Sequence, residues 1–243
     1  DEIVKKSISK KTKCIIITHY GGLPVDISKI SALCKKKKIF LIEDAATAFG
    51  AKIKKKNVGS SDYSISVFSF YANKIITTGE GGIISLRNKQ LANKIRSIIS
   101  CGIDKDPWKR TFEKKMWFYN VKNFGFKFNF TDLQAALGLA QLKKLKNIIN
   151  KRKKFRKLYD KNLKDIIHKK IIFVQNSKKG YFNSEYIYTI LLNKNKFFLR
   201  DKLISFLKEN NISSTVHYIP ANQHSYYKKK FINFKLIKSD YIF

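Results

Sequence analysis

Two short apolar segments, separated by a stretch long enough for one helix, limit what this chain can fold into. The first segment is CIIITH, from Cys14 to His19, and the second is IFLIED, from Ile39 to Asp44. Short runs rich in β-branched residues are typical of buried strands. Asp26 lies between the two segments and is of a residue type that caps helices. The pattern therefore predicts a βαβ unit with parallel strands and an α/β fold.

Two more strands and two more helices are predicted further along. Residues 63–70 lead through alternating apolar and serine positions into a third strand, and GGIISLR, residues 81–87, predicts a fourth. A helix is predicted from about residue 88 to 99. Thr131 and Gln134 have the spacing of a capping box, which predicts the start of a long basic helical stretch.

A different pattern follows the long helical stretch. EYIYTILL, FFLRDKLISFLKENN and ISSTVHYIP predict a strand, a helix and a strand in a small α+β unit. We therefore place a domain boundary near residue 150. Residues 1–150 are expected to form part of a large α/β domain, and residues 151–243 a linker helix and an incomplete small domain.

Charge and cysteine usage bear on the class of protein. The net charge of +34 comes almost entirely from lysines scattered over all 243 residues. The chain is also rich in Ile, Asn, Phe and Tyr, and these residues share AT-rich codons with lysine. Genome composition therefore explains the excess of lysine, and a solvated surface is favoured over a nucleic-acid site. A basic regulatory or nucleic-acid-binding protein stays open as an alternative. Cys14, Cys34 and Cys101 have no metal-ligand spacing, which predicts reduced, buried thiols in a cytoplasmic protein without a metal. No apolar run approaches the ~18 residues of a membrane span.

Three residues near strand ends are candidates for chemistry. Asp44 ends an apolar strand of a parallel sheet, where α/β proteins place ligand sites, although a helix N-cap is an equal alternative. Ser69 ends the third strand and can bind a phosphate oxygen. Lys74 follows in FSFYANKIITTGEGG and can act as a nucleophile if its site lowers its pKa. By position alone, a surface lysine in a glycine-rich turn explains Lys74 better.

The motifs taken together are more specific than any one of them. THYGGLPVDISKISALCKKKKIFLIEDAATAFGAK, FSFYANK, TTGEGGIISL, NFGFKFNFTDLQAALGLAQLKKL and STVHYIPANQHSYYKKKF follow one another in this order. This series resembles the DegT/DnrJ/EryC1/StrS family of sugar aminotransferases over nearly the whole chain. The resemblance implies aminotransferase fold type I, with a mixed, mostly parallel sheet flanked by helices, and pyridoxal 5'-phosphate as cofactor.

The resemblance also implies roles for individual residues. Lys74 matches the lysine that forms a Schiff base with the cofactor, and Asp44 matches the aspartate that pairs with its ring nitrogen. Ser69 matches a serine that binds the cofactor phosphate, and Asn129 an asparagine that reaches the phosphate from the neighbouring subunit of a homodimer. The remaining two matches, which fall in the segment that lines the sugar-nucleotide site, are His217 and Tyr218.

Two departures from the family pattern bear on the interpretation. Family members usually carry Gln or His three residues after the aspartate, whereas this chain has Thr47, which is too short for the same planar contact with the cofactor. Family members also have a long segment before THYGG, so the chain is expected to lack the N-terminal part of the enzyme.

The implied activity is transfer of an amino group, with glutamate as the donor, to a keto carbon of a nucleotide-linked deoxysugar. The segments GIDKDPWKR and GFKFNFTDLQAALGLAQL favour C4 of a UDP-sugar and a role in surface polysaccharide biosynthesis. An inactive fragment and a non-catalytic relative are the alternatives. Related dehydratases replace the lysine, and the presence of Lys74 argues against that group.

Overall fold

The fold consists of two compact units. A computed structural model of the chain describes residues 2–105, 110–112 and 114–230. One unit consists of Asp1–Leu158 and Asn176–Tyr188, and the other of Tyr159–Gln175 and Thr189–Phe243. The predicted boundary near residue 150 falls inside a helix that runs over Asp132–Asn162.

The first unit is built around a four-stranded sheet. In spatial order its strands are β1 (Cys14–Thr18), β2 (Phe40–Asp44), β5 (Ile65–Ser69) and β6 (Gly82–Ser85). The first three are parallel, and β6 pairs with β5 in the antiparallel sense. All four predicted strands are therefore present in a mixed, mostly parallel sheet.

The predicted βαβ unit is present, although the N-cap residue of its helix is Ile27 and not Asp26. Helix α2 (Ser28–Lys37) connects β1 to β2, and its buried residues Ile30 and Cys34 pack with Leu41 of β2. The Asp26 carboxylate accepts a hydrogen bond from the Ser28 backbone N–H at 2.9 Å, which satisfies one donor of the first turn. An apolar helix face on one side of the sheet forms the core of this unit.

A second, smaller sheet is attached to the first unit. Its strands are β3 (Lys52–Ile53), β4 (Lys56–Asn57) and β8 (Tyr181–Phe182), all antiparallel. The first two form an exposed hairpin in the lysine-rich stretch AKIKKKNVGS. The third strand, β8, lies more than a hundred residues further along the chain and pairs with β3. It belongs to the same unit, since residues 176–188 are part of the first unit.

Two further helices of the first unit begin at residues whose side chains cap them. Helix α3 (Lys89–Ile99) is capped by Asn88, whose side chain accepts a hydrogen bond from the Leu91 N–H at 2.9 Å. Helix α4 (Asp132–Asn162) starts with the predicted capping box, in which the Thr131 N–H donates to the Gln134 side chain at 2.9 Å. A short helix, α1 (Glu2–Ser7), precedes the sheet.

The second unit is small and contains a two-stranded sheet. Its elements are α5 (Lys164–His168), β7 (Ile172–Val174), β9 (Ile190–Leu192), α6 (Arg200–Glu209) and α7 (Ser225–Lys230). The predicted helix is therefore present, and the first predicted strand is shortened to β9. The strand predicted for residues 212–220 is wrong, because no strand is formed there. β-Branched residues favour a strand only where a neighbouring strand can pair with them.

The two faces of the four-stranded sheet differ in burial. The back face packs on α2 and carries Leu41 and Glu43, which are 1% and 2% exposed. The front face carries Ile16 and Phe40, which are 65% and 60% exposed, together with Val67. Because side chains alternate along a strand, Asp44 lies on the front face and its neighbour Glu43 on the back face.

Candidate active site

Asp44 and Ser69 lie at the same edge and on the same face of the sheet. Asp44 ends β2 and is in register with Val67 of the neighbouring parallel strand. Ser69 lies two residues beyond Val67, so its side chain points to the same face as that of Asp44. The backbone thus brings together two of the predicted site residues at the carboxyl ends of adjacent strands, where α/β proteins place ligands.

Both side chains retain unused hydrogen-bonding capacity. The Oδ1 atom of Asp44 accepts a hydrogen bond from the Ala46 N–H at 3.1 Å, and the Ser69 hydroxyl accepts one from the Tyr71 N–H at 3.3 Å. Among the described residues, nothing donates to Oδ2 of Asp44 and nothing accepts the hydroxyl proton of Ser69. A half-buried carboxylate oxygen and a hydroxyl proton are therefore available to a ligand.

Lys74 is half-buried in the turn that follows β5. Its backbone N–H donates to the Tyr71 carbonyl at 3.0 Å, and its ammonium lies 4.9 Å from the centre of the Tyr186 ring. The Tyr186 hydroxyl donates to the Asn73 side chain at 3.2 Å. In the part of the chain that the structure describes, no carboxylate pairs with the Lys74 ammonium. Lys74 thus differs from a freely solvated surface lysine.

Thr47 is fixed by its backbone surroundings. Its hydroxyl donates to the His19 carbonyl at 2.9 Å, and its own carbonyl accepts a hydrogen bond from the Ser184 hydroxyl at 3.1 Å. Ser184 is fully buried, and Gly22 lies so close to it that an added Cβ would approach its hydroxyl to 2.5 Å. The Thr47 hydroxyl therefore points to the backbone of His19. A role for Thr47 in cofactor binding stays a prediction.

Phe130, which directly follows Asn129, lies beside the glycine-rich loop that follows Lys74. A Cβ at Gly81 would lie 2.5 Å from the ring of Phe130 and from the Thr78 hydroxyl, and φ there is +152°. The Gln134 side chain donates to the Glu80 carbonyl at 2.9 Å, which attaches the start of α4 to the same loop. The Asn129 side chain itself is exposed.

His217 and Tyr218 lie in the second unit. Their ring centres are 4.4 Å apart, and Tyr218 is 67% exposed. Their assignment to a sugar-nucleotide site stays a prediction, as do the roles of Asp44, Ser69, Lys74 and Asn129.

A buried polar cluster behind Asp44 was not anticipated from the sequence. The Glu43 carboxylate accepts hydrogen bonds from His19 Nε2 at 2.8 Å, from the Ser66 hydroxyl at 2.7 Å and from the Ser64 hydroxyl. These four residues are at most 2% exposed. The sequence signal for this cluster is the acidic residue inside the apolar segment IFLIED, because a buried carboxylate needs hydrogen-bond donors around it.

The surroundings keep Glu43 ionised. Burial alone would raise the pKa of this carboxyl, but the hydrogen bonds from His19, Ser64 and Ser66 outweigh it, and the pKa lies below its usual value. The Val25 N–H donates to His19 Nδ1 at 2.9 Å, so the ring proton of a neutral His19 resides on Nε2, facing Glu43.

A cavity of about 640 Å³ opens on the back face of the sheet. Its lining includes His19, Glu43 and the hairpin lysines Lys54, Lys55 and Lys56. None of the predicted site residues lines it, since Asp44 and Ser69 face the other way.

Other classes of site are less well supported. Within residues 2–105, 110–112 and 114–230, no group of three or more His, Cys, Asp or Glu side chains could hold a metal ion. No helix of this part of the chain is long and apolar enough to cross a membrane. Cys34 is buried, whereas Cys14 and Cys101 are exposed, so the expectation of buried thiols is correct for only one of the three.

The geometry fits a cofactor that presents both a cation and a phosphate. Asp44 offers a carboxylate oxygen, Ser69 a hydroxyl proton and Lys74 an amine, and each lies at or just beyond the carboxyl edge of the sheet. The sequence profile of the DegT/DnrJ/EryC1/StrS aminotransferase family matches residues 1–242. The chain belongs to this family.

Curated relatives agree with the family match. The spore coat polysaccharide biosynthesis protein SpsC of Bacillus subtilis is 34% identical over 230 residues, which are 94% of this chain and 58% of that protein. A UDP-4-amino-4,6-dideoxy-N-acetyl-beta-L-altrosamine transaminase of Campylobacter jejuni is 35% identical over 226 residues, 93% of this chain and 57% of that protein.

Solved structures confirm the fold. The aminotransferase PseC of Helicobacter pylori, which is involved in the biosynthesis of pseudoaminic acid, superimposes with a TM-score of 0.85 at 29% identity. The match covers 100% of this chain and 62% of PseC. The predicted aminotransferase fold is therefore correct, and the chain spans less than two thirds of the length of these relatives.

Proposed function

We propose that the protein containing this chain is a pyridoxal-phosphate-dependent sugar aminotransferase. It transfers an amino group from glutamate to a keto carbon of a nucleotide-linked deoxysugar, so that glutamate becomes 2-oxoglutarate and the ketone becomes an amine. The observation that carries this proposal is the set of unused polar groups on Asp44, Ser69 and Lys74, at one edge of the sheet of an aminotransferase-family fold.

The substrate class is proposed from the relatives. The Campylobacter jejuni relative is named as a transaminase of a UDP-linked 4-amino-4,6-dideoxy sugar, and SpsC is named for spore coat polysaccharide biosynthesis. We therefore propose C4 of a UDP-sugar as the site of amination and a surface polysaccharide as the destination of the product.

Each site residue has a distinct task in this proposal. Bound pyridoxal phosphate supplies an aldehyde carbon that exchanges amino groups and a ring that withdraws electrons from it. The Asp44 carboxylate would pair with the ring nitrogen and favour its protonated form. The Ser69 hydroxyl would donate to a phosphate oxygen. The amine of Lys74 would hold the cofactor and, when free, would carry the proton that leaves or joins the substrate carbon.

We further propose a homodimer with shared active sites. Large apolar side chains around Asn129 are exposed, and exposed patches of this kind mark interaction surfaces. The most exposed of them are Phe124 at 84%, Phe128 at 66% and Leu133 at 85%. In the dimer, Asn129 reaches the cofactor phosphate of the neighbouring subunit, and His217 and Tyr218 contact the nucleotide sugar.

A cytoplasmic location is proposed from the substrate and the cysteines. The three cysteines form no disulfide, which is the usual state in a reducing compartment. No nucleic-acid or membrane partner is required by the proposal.

Trapping of the cofactor tests the proposal directly. The protein expressed from its complete reading frame is loaded with pyridoxal phosphate, reduced with borohydride and mapped by peptide mass spectrometry. We expect one pyridoxyl adduct on Lys74 that disappears in Lys74→Ala. The control is Lys153→Ala, because burial lowers the pKa of Lys153 and so favours its neutral, reactive form.

The two variants separate the possible outcomes. An adduct that persists in Lys74→Ala but is lost in Lys153→Ala would assign the reaction to an unspecific lysine and overturn the proposed function. Absence of any adduct on the folded wild-type protein would do the same.

Subunit mixing tests the shared site. Lys74→Ala and Asn129→Ala proteins are each expected to be inactive or strongly impaired. After they are mixed and their subunits exchanged, a heterodimer carries one site with both native residues, so activity should reappear. Activity that stays at the level of the separate variants would place Asn129 in its own subunit's site or outside the site.

A further inference from the structure

His19 connects four parts of the chain at the carboxyl edge of the sheet. Its backbone N–H donates to the Asp44 carbonyl at 3.0 Å, and its carbonyl accepts from the Thr47 hydroxyl at 2.9 Å. Its ring accepts from the Val25 N–H at 2.9 Å and lies 2.8 Å from the Glu43 carboxylate. His19 is fully buried, so none of these bonds competes with water.

Glu43 extends this connection to the next strand. It is flanked in the sheet by His19, which directly follows β1, and by Ser66 of β5, with which it is in register. One carboxylate therefore joins the carboxyl ends of β1 and β2 to the beginning of β5 from behind. The cluster lies on the back face, with the side chains of His19, Glu43, Ser64 and Ser66. The proposed cofactor contacts of Asp44 and Ser69 are on the front face.

We propose that His19 and Glu43 are a positioning pair that fixes the Asp44 carboxylate and the turn through Thr47 against the cofactor ring. The inference rests on the proposed function, since it assigns the pair a task in cofactor binding beyond the stability of the fold. Neither side chain touches the cofactor in this account, and both act through the backbone of residues 44–47.

The physical reason is that the Asp44 carboxylate has little support of its own. Its one hydrogen bond among the described residues comes from the Ala46 N–H, within the same turn. Its position therefore depends on the backbone at the end of β2, which His19 holds through the Asp44 carbonyl. A charge pair weakens as its separation grows, so displacement of this turn weakens the contact of Asp44 with the ring nitrogen.

Two substitutions of His19 separate the link to Glu43 from the link to Val25. In His19→Asn the amide occupies the place of Nδ1, so it can still accept from Val25 but cannot reach Glu43. In His19→Gln the longer amide can still donate to Glu43 but no longer accepts from Val25. Both variants retain the backbone bonds to Asp44 and Thr47.

A third variant controls for lost stability. Tyr63→Phe removes hydroxyl bonds to the carbonyls of Ile39 and Cys34, at the amino end of β2 and away from Asp44. Urea unfolding measures the stability of each variant, so that cofactor binding is compared between variants of equal stability. The two readouts are the dissociation constant of pyridoxal phosphate and the pH titration of the visible absorbance of the bound cofactor.

We expect His19→Asn to bind pyridoxal phosphate about tenfold more weakly than wild type, by analogy with loss of outer-shell partners around bound metals. The pH midpoint of its visible absorbance should shift from the wild-type value, because weaker pairing of Asp44 with the ring nitrogen changes the proton affinity of the bound cofactor. His19→Gln and Tyr63→Phe should remain close to wild type in both readouts. If His19→Asn does not fold, Ser66→Ala makes the test, with an expected weakening of roughly threefold.

The inference would be overturned if folded His19→Asn bound the cofactor and titrated like wild type. Where His19→Asn does not fold, the same result in Ser66→Ala would overturn it, and the pair would then be a purely structural feature. The same holds if Tyr63→Phe shows equal changes at equal stability. Failure of the proposed function is seen separately, because the wild-type protein then yields no Lys74 adduct before any His19 variant is compared.

Discussion

The two faces of the four-stranded sheet carry neighbouring carboxylates in opposite environments. On the back face, Glu43 is buried and accepts from three side chains. On the front face, Asp44 is half-buried and keeps one oxygen unused among the described residues. Adjacent residues of one strand thus show the difference between a carboxylate whose hydrogen bonds are complete within the fold and one that is open to a ligand.

The apolar residues of the two faces differ in the same way. Leu41 is 1% exposed against α2, whereas Ile16 on the front face is 65% exposed. The back face is therefore covered by this chain's own elements. The front face presents apolar surface and unused polar groups together, which is the usual character of a surface that binds something else.

The largest expected difference in the free energy of unfolding is between the variants Glu43→Leu and Asp44→Asn. Glu43→Leu leaves the donors of His19, Ser64 and Ser66 buried without an acceptor, which should lower the free energy of unfolding by about 3 to 5 kcal/mol. Asp44→Asn should change it by less than about 0.5 kcal/mol, because an amide oxygen can still accept from Ala46. Urea unfolding measures both, and equal losses would contradict the distinction between the faces.

Truncation of apolar residues should follow the same division. Leu41→Ala is expected to lower the free energy of unfolding by about 2 to 5 kcal/mol, through lost burial and the cavity that remains. Ile16→Ala should change it by less than about 1 kcal/mol, because most of that side chain is already in water. A large loss in Ile16→Ala would show that the front face is covered in solution, and sedimentation would reveal whether a second subunit covers it.

The pH dependence of stability should isolate the back-face carboxylate. The pKa of Glu43 is lowered in the folded state, so its ionised form contributes stability above the unfolded-state pKa of about 4.3. This contribution is lost as the pH falls through the lower folded-state pKa. Wild type should therefore lose stability with acid more steeply than Glu43→Gln below about pH 4.3. Parallel pH profiles of unfolding free energy would rule out this linkage.

The smallest expected effect concerns Thr47, whose hydroxyl connects the front-face turn to His19. Thr47→Val removes that hydrogen bond with little change in volume and should lower the free energy of unfolding by about 1 kcal/mol. Thr47→Ser keeps the hydroxyl and serves as the control. If Thr47→Val is as stable as wild type by thermal unfolding, the bond to the His19 carbonyl contributes nothing measurable.

Local patterns predicted most of the first unit. The apolar runs that end at His19 and Asp44 form parallel strands, a helix begins at Lys89 as expected, and Thr131 with Gln134 begins the next one. These features depend on residues a few positions apart, so a sequence displays them directly. The prediction for residues 212–220 was wrong because strand formation depends on a partner strand, which local composition does not reveal.

The amino-acid sequence was sufficient to predict the four strands of the main sheet, the starts of α3 and α4 and the motifs of the family. Contacts between residues far apart in the chain became visible only in the folded protein. Examples are the Ser184 hydroxyl on the Thr47 carbonyl and the Tyr186 ring beside Lys74. Burial and hydrogen-bond partners depend on the residues that pack together in the folded chain. The segment IFLIED therefore shows two acidic residues, but not that the Glu43 carboxylate is buried and hydrogen-bonded on both oxygens while one oxygen of Asp44 is unused among the described residues.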